Sequence, residues 1–238
     1  MNSNINSQEK QGAAAEMMDS RWKGLYKAGG VADIAVLALI PIQMVVFLVW
    51  PPPNTVLGWF QLFQDNALVG LLDLDLLLIV DYALMGVTFL ALWAALRRAS
   101  QSLMAIALVA EIVGVTTYFA STAAFEMLSL SNLYAAATTE AERSVFLAAG
   151  QAMLATWQGT AFNISYILGA IALLTVSIAM LRSHVFSKAT AYVGIVASIM
   201  MFVPPTAGTV GLYLSLISLI PTIIWLILIA RRLFQLGR

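Results

Sequence analysis

The sequence predicts an all-α polytopic membrane bundle of six transmembrane helices. Both termini are expected on the cytoplasmic side, with two amphipathic helices at the outer surface. Three observations predict it. Of 238 residues, 61% are apolar and only 10% are charged, against about 25% charged in a water-soluble domain. Six apolar segments recur along the chain. Eleven of the twelve Lys and Arg residues fall on one side of that pattern.

Residues 1–28 are polar and charged and lack the apolar core of a cleavable leader. Residues 1–12 read as a tail. From about Ala13 to Tyr26, the side chains of Met18, Trp22, Leu25 and Tyr26 share one helical face among Arg21, Lys23 and Lys27. That pattern suits a short helix lying on the cytoplasmic surface; it suits equally an extension of the first membrane helix. Residues 29–234 make the six-helix domain, and 235–238 a short cytoplasmic tail.

A membrane helix needs about 20 apolar residues at 1.5 Å rise each. Spans are expected at 31–50, 68–96, 103–125, 159–181, 189–203 and 209–230. Lipid cannot satisfy backbone amides, so apolar runs of this length form helices. Lys10, Arg21, Lys23 and Lys27 precede the first span. The next connection has no basic residue, and the one after it has Arg97 and Arg98. Residues 126–158 carry only Arg143, Arg182 and Lys188 follow the fourth span, and 204–208 carry none. Arg231, Arg232 and Arg238 close the chain. Basic connections alternate with neutral ones, so both termini are expected in the cytoplasm.

Two outer connections look structured. Pro51-Pro52-Pro53 cannot continue a helix and ends the first span. Thr55 then caps a helix with Val56, Trp59, Phe60 and Phe63 on one face, a spacing suited to the outer interface. Thr139-Glu140-Ala141-Glu142 has the capping-box pattern, and opens a helix striped with Phe146, Ala149, Met153 and Trp157. Gly159 is the expected bend, because a straight helix from Glu140 to Leu181 would be about 63 Å long, twice the hydrocarbon thickness.

Small-residue stripes mark close helix packing in lipid. Ala107, Ala110, Gly114, Thr117 and Ser121 form one on the third span. Gly159, Asn163, Tyr166, Ala170 and Ser177 form another on the fourth, and Thr88, Ala91 and Ala95 a third on the second. Pro221 should kink the sixth span, with Ser218 or Ser215 satisfying freed carbonyls.

The chain has no Cys, which excludes disulfides, thiolate metal sites and cysteine nucleophiles. Its single His, His184, sits at a helix end, which argues against bis-His haem and His-rich zinc sites. No cofactor and no metal is expected. The basic residues are spread over inner helix ends, which gives nucleic-acid binding no support.

The acidic residues carry the chemistry. Asp73, Asp75 and Asp81 lie on the second span and Glu111 on the third. A carboxylate in hydrocarbon costs at least about 2.5–3.5 kcal/mol, so it normally faces the bundle interior, pairs, or binds something. Counting from the basic ends, Asp81 stands about 24 Å up, level with Tyr118, Tyr166 and Gln43, while Glu111 stands about 14 Å up. No Lys or Arg is expected at those depths. The expected site therefore joins Asp81 and Glu111 as charged groups, Tyr118, Asn163 and Tyr166 as polar liners, and Asp73 on the same groove as Asp81. Such a site favours protons, metal cations or amines over anions.

Asp73-x-Asp75-x5-Asp81 also resembles the paired carboxylates that hold Mg²⁺ in enzymes acting on lipid pyrophosphates, but phosphate binding needs cationic partners. Three readings follow. The first is a protein binding or transporting a small molecule or cation through an outward-facing acidic cavity. The second is a non-enzymatic membrane subunit or sensor, whose stripes suit pairing with a second copy. The third is a Mg-dependent lipid-modifying enzyme, which needs Asp73, Asp75 and Asp81 to converge. Membrane lipids are partners in each.

Several segments resemble a bacterial family of polytopic membrane proteins known only as a domain of unknown function. They are Val49-Trp50-Pro51-Pro52-Pro53, the 71–81 run with its Asp-Leu-Asp, Phe125-Glu126-Met127-Leu128-Ser129-Leu130-Ser131-Asn132-x-Tyr134, and Gly159-Thr160-Ala161-Phe162-Asn163. The resemblance implies a bacterial cytoplasmic membrane location and no activity or site residue.

Overall fold

The computed structural model describes residues 20–238, and every regular element among them is helical. A 3-10 turn at Ser20–Trp22 runs directly into α1 (Lys23–Val49). The amphipathic helix expected from Ala13 thus falls mostly outside the described residues. Then come α2 (Val56–Asp65), α3 (Ala67–Asp73), α4 (Leu76–Leu96), α5 (Gln101–Ser121), α6 (Ala124–Ala136), α7 (Glu140–Trp157), α8 (Thr160–Leu181), α9 (Lys188–Met200) and α10 (Gly208–Leu236).

Five segments are long and apolar enough to cross a membrane: Lys23–Val49, Leu76–Leu96, Gln101–Ala136, Glu140–Leu181 and Gly208–Leu236. Helix α9, where a sixth span is expected, has 13 residues. It reaches about 20 Å, short of the ~30 Å hydrocarbon thickness.

The break expected at Gly159 is there, between α7 and α8. A Cβ on Gly159 would lie 2.7 Å from the Ala155 carbonyl oxygen and 3.0 Å from that of Thr156, so only glycine fits the bend. A second break was not expected. The segment 68–96 is not one helix: α3 stops at Asp73 and α4 starts at Leu76. Asp75 takes φ 69°, the left-handed region. Aspartate tolerates that region better than most residues, because its short polar side chain bonds locally. The spanning helix therefore begins at Leu76, and Asp73 and Asp75 stand outside it.

The chain divides into two compact units. The first holds Met1–Leu37, Ala83–Val115 and Tyr166–Arg238. Here Gly29 brings three helices together. A Cβ on it would lie 2.5 Å from the Ala91 Cβ and 3.0 Å from Leu233. One turn further along α1, buried Asp33 accepts a 2.8 Å hydrogen bond from the Thr88 hydroxyl. Of the small-residue stripes, Ala107, Ala110, Ala91, Ala95, Thr88, Ala170 and Ser177 are buried, while Thr117, Gly159, Asn163 and Tyr166 are half-buried. The other face of α5 leaves Ile106, Val109, Ile112 and Val113 exposed, an apolar surface that suits lipid. The Arg97 guanidinium stands 5.0 Å from the Trp22 ring centre and 4.8 Å from that of Trp93. Around Pro221, the Ser218 and Ser215 hydroxyls donate to the carbonyls of Ser215 and Leu212. The accepting carbonyls lie two and five residues before Ile217, whose carbonyl the proline frees, so neither bond reaches it.

The second unit holds Ala38–Tyr82 and Thr116–Ser165. Both expected caps form. Thr55 accepts from Gly58 N at 3.1 Å, and Thr139 with Glu142 closes a full capping box. Yet the apolar faces of α2 and α7 do not wait for lipid. Val56, Trp59, Phe60 and Phe63 are buried with Ala123, Ala124 and Met127, and Phe146, Met153 and Trp157 pack against them. The apolar faces of α2 and α7 close over α6, and the three helices form a small core. Gly150 permits the contact, since a Cβ there would lie 2.6 Å from Val56. Polar bonds lock it: the Ser131 hydroxyl donates to the Phe60 carbonyl at 2.9 Å and accepts from Gln64 Nε2 at 2.9 Å.

Candidate functional site at the α3–α4 break

The site is built where α3 gives way to α4. Asn66 starts α3 by accepting from Val69 N at 3.2 Å. Seven residues later the helix ends at Asp73. Its last carbonyls lose their helical donors, and one of them, Leu72 O, accepts from Gln43 Nε2 at 3.2 Å. The amide oxygen of Gln43 is left buried without a donor.

Leu74 anchors the turn by sitting fully buried in the small core. That fixes Asp73 and Asp75 on either side. Trp157 Nε1 donates to Asp75 Oδ2 at 2.5 Å, and the Trp157 ring meets Trp59 edge-on at 5.9 Å. Asp75 is thus tied to the core in a conformation that costs about 1–3 kcal/mol and persists only where the surroundings impose it.

Asp73 is different. It has no exposed surface, and neither of its carboxylate oxygens has a hydrogen-bond partner. Burial raises the Asp73 carboxyl to about 6, with the Asp75 charge adding to the shift. Burial also raises Asp75 to about 6, against the lowering effect of the Trp157 donor and the nearby Tyr118 hydroxyl.

Tyr118 links this pair to Asp81. Its ring stacks on Tyr82 with centres 3.7 Å apart and planes 3° from parallel. Its hydroxyl lies within electrostatic reach of both Asp75 and Asp81, but makes no well-formed hydrogen bond. Asp81 is 7% exposed, and its Oδ1 is also buried without a donor. Acceptor atoms thus outnumber donors. The C-terminal end of α3 adds its own partial negative charge.

Of the residues singled out from the sequence, Asp73, Asp81 and Tyr118 belong to this group in the second unit. Asn163 belongs to the same unit but does different work: its amide donates to Gly159 O at 2.8 Å and Gln158 O at 3.3 Å, bracing the α7–α8 bend. Glu111, buried, and Tyr166, which interacts with Ser218, fall in the first unit. Sequence reading missed the Trp157 donor, the Tyr82 stack, Gln43 as a break-filling side chain, and Asp33. Asp33 carried the same signal as Asp81, an acid inside an apolar run. Among the described residues no three His, Asp or Glu side chains are placed to hold a metal ion, so Asp73, Asp75 and Asp81 do not converge as the Mg-dependent reading requires. No family model, curated protein or solved structure matches the chain.

Proposed function

We propose that this is an integral membrane protein that binds a proton or a small organic cation at the α3–α4 break, and that Asp81 and Asp73 are its charged ligands. One observation carries the reading: buried carboxylate oxygens of Asp73 and Asp81 have no donor among the described residues. An unpaired buried acceptor costs about 1–3 kcal/mol, more when charged. A bound proton or ammonium group removes that cost. Breaks in membrane helices suit this task, because half-helix C-termini and freed carbonyls attract cations. Tyr118, between Asp75 and Asp81, is the group through which a proton would pass from one carboxylate to the other.

Six crossings support the transport form of this reading. Lys23 Nζ donates to the Arg238 carbonyl oxygen at 3.1 Å. A contact between the start of α1 and the end of α10 favours an even number of crossings, with α9 as the sixth across a locally thinned bilayer. The charge alternation supports a cytoplasmic location for that shared side, in a bacterial inner membrane.

The test uses ethylammonium, whose N–H groups can donate to the carboxylates, as probe in isothermal titration with detergent-solubilised protein. Asp81→Asn and Asp73→Asn should each weaken binding by about ten-fold or more, the loss of one buried charge-assisted contact. Unchanged binding in Asp81→Asn overturns the assignment.

A further inference from the structure

We propose that the basic end of the first unit carries a binding site for one anionic phospholipid, held by its phosphodiester between α1 and α10. The site is a cavity of about 610 Å³ lined by Lys27, Val31, Arg231, Phe234, Gln235 and Arg238. It shares no residue with the carboxylate site and does not depend on that reading.

The groove exists because of local packing. Gly30 lets α1 approach α10, since a Cβ on it would lie 3.1 Å from the Phe234 ring. Gly237 does the same at the other end, where a Cβ would lie 2.7 Å from the Lys27 side chain. The Lys23 bond to the Arg238 carbonyl closes the bottom. Between these contacts the helices leave a recess with three cationic side chains and no acidic side chain in its lining.

Two features select a lipid over a free anion. The first is where the groove leads. On α1 the row Lys27, Val31, Ile34 passes from a charge to exposed apolar side chains, with Val31 59% exposed. On α10 the row Arg231, Ile227, Ile224, Ile220 does the same, with Ile220 63% exposed. The spacings of three and four keep each row on one helical face. A headgroup in the recess has acyl chains lying along both rows. The second is charge geometry. A guanidinium offers a planar pair of donors to two phosphate oxygens, and an ammonium supplies a point charge. Basic pockets between membrane helices bind anionic headgroups in this way. A soluble anion would use the cations and leave the apolar rows bare.

The test is native mass spectrometry of the full chain released from nanodiscs of phosphatidylglycerol mixed with phosphatidylcholine. Wild type should retain one phosphatidylglycerol in preference to phosphatidylcholine. Lys27→Gln with Arg231→Gln should reduce that retention by roughly twenty-five-fold, at about five-fold per basic residue. Arg182→Gln with Lys188→Gln removes the same charge from exposed positions outside the groove and should leave retention unchanged. Equal loss in both pairs means diffuse surface attraction and overturns the site. Displacement of the lipid by millimolar glycerol phosphate means a soluble-anion site and also overturns it. A second measurement does not depend on removing charge. In Val31→Trp, phosphatidylglycerol with brominated acyl chains should quench the added indole emission more than brominated phosphatidylcholine at equal content. Equal quenching by the two lipids sinks the proposal.

Discussion

Asp75 holds a left-handed backbone, a buried carboxylate and a bond to Trp157 at one position. Those three properties separate by substitution. Asparagine tolerates the backbone and still accepts from the indole, so below about pH 4, where Asp75 is protonated, Asp75→Asn should leave unfolding stability within about 1 kcal/mol of wild type. Alanine loses both, and Asp75→Ala should cost about 2–4 kcal/mol in denaturant unfolding. The pH response follows from the raised carboxyl. Held near 6 against an ordinary 3.8, Asp75 favours the fold in its protonated form. Stability from this group is therefore full at low pH, falls as pH rises from about 4 to about 6, and is flat above. In a variant keeping Trp157 as the sole tryptophan, its emission should titrate with a midpoint near 6, and Asp75→Asn should remove the titration. A flat profile in the parent would contradict the assignment. Asp33 is the other exposed weakness. Thr88→Val removes the donor to one oxygen while the other already has none, and should destabilise by about 1–3 kcal/mol.

At the scale of elements, the protein is shaped by where helices stop. Gly159→Ala would drive a methyl against the Ala155 and Thr156 carbonyls. Overpacking of that kind costs about 1–3 kcal/mol, measurable as a lower thermal midpoint in detergent. Thr139→Ala, which opens the capping box, should cost about 1 kcal/mol. Much of this was legible in the sequence, because the signals are local. Pro51-Pro52-Pro53, Thr55, the Thr139–Glu142 box and Gly159 each act through backbone sterics or caps within a few residues. The α3–α4 break was not legible. Leu68 to Leu96 is apolar apart from Asp73, Asp75, Asp81 and Thr88 and holds no proline, and Asp75 is not a glycine. What interrupts it is tertiary: Leu74 drawn into a core formed by α2, α6 and α7, and Trp157 pulling on Asp75 from 82 residues away. The destination of the amphipathic stripes was hidden for the same reason. A stripe at helical spacing names a face to be covered, and does not name whether lipid or another stripe covers it. So the sequence grouped Asp73, Asp81 and Tyr118 with Glu111, Asn163 and Tyr166, of which Glu111 and Tyr166 fall in the first unit, and it did not name the Trp157 donor or the bracing role of Asn163.

At the scale of the molecule, five helices are long and apolar enough to cross a membrane, and the proposed sixth crossing by α9 is open to a direct test. The chain is free of Cys, so single introduced thiols report their side cleanly. Gly24→Cys, at an open position, and Arg238→Cys should both resist a membrane-impermeant maleimide in intact spheroplasts and react after lysis. Ser144→Cys should react before lysis. Labelling of Gly24→Cys and Arg238→Cys from opposite sides would mean five crossings and would remove α9 from the membrane. The central claim, that buried carboxylates at the α3–α4 break exchange a proton for a cation, has a direct test: proton release on adding ethylammonium to purified protein in weak buffer. With Asp73 and Asp75 held near 6, release should be clear at about pH 5.5 and vanish by about pH 7.5, and Asp81→Asn should weaken binding by about ten-fold or more and move the release to correspondingly higher cation concentration. Binding without proton release at the lower pH, or an unaltered response in Asp81→Asn, would contradict it.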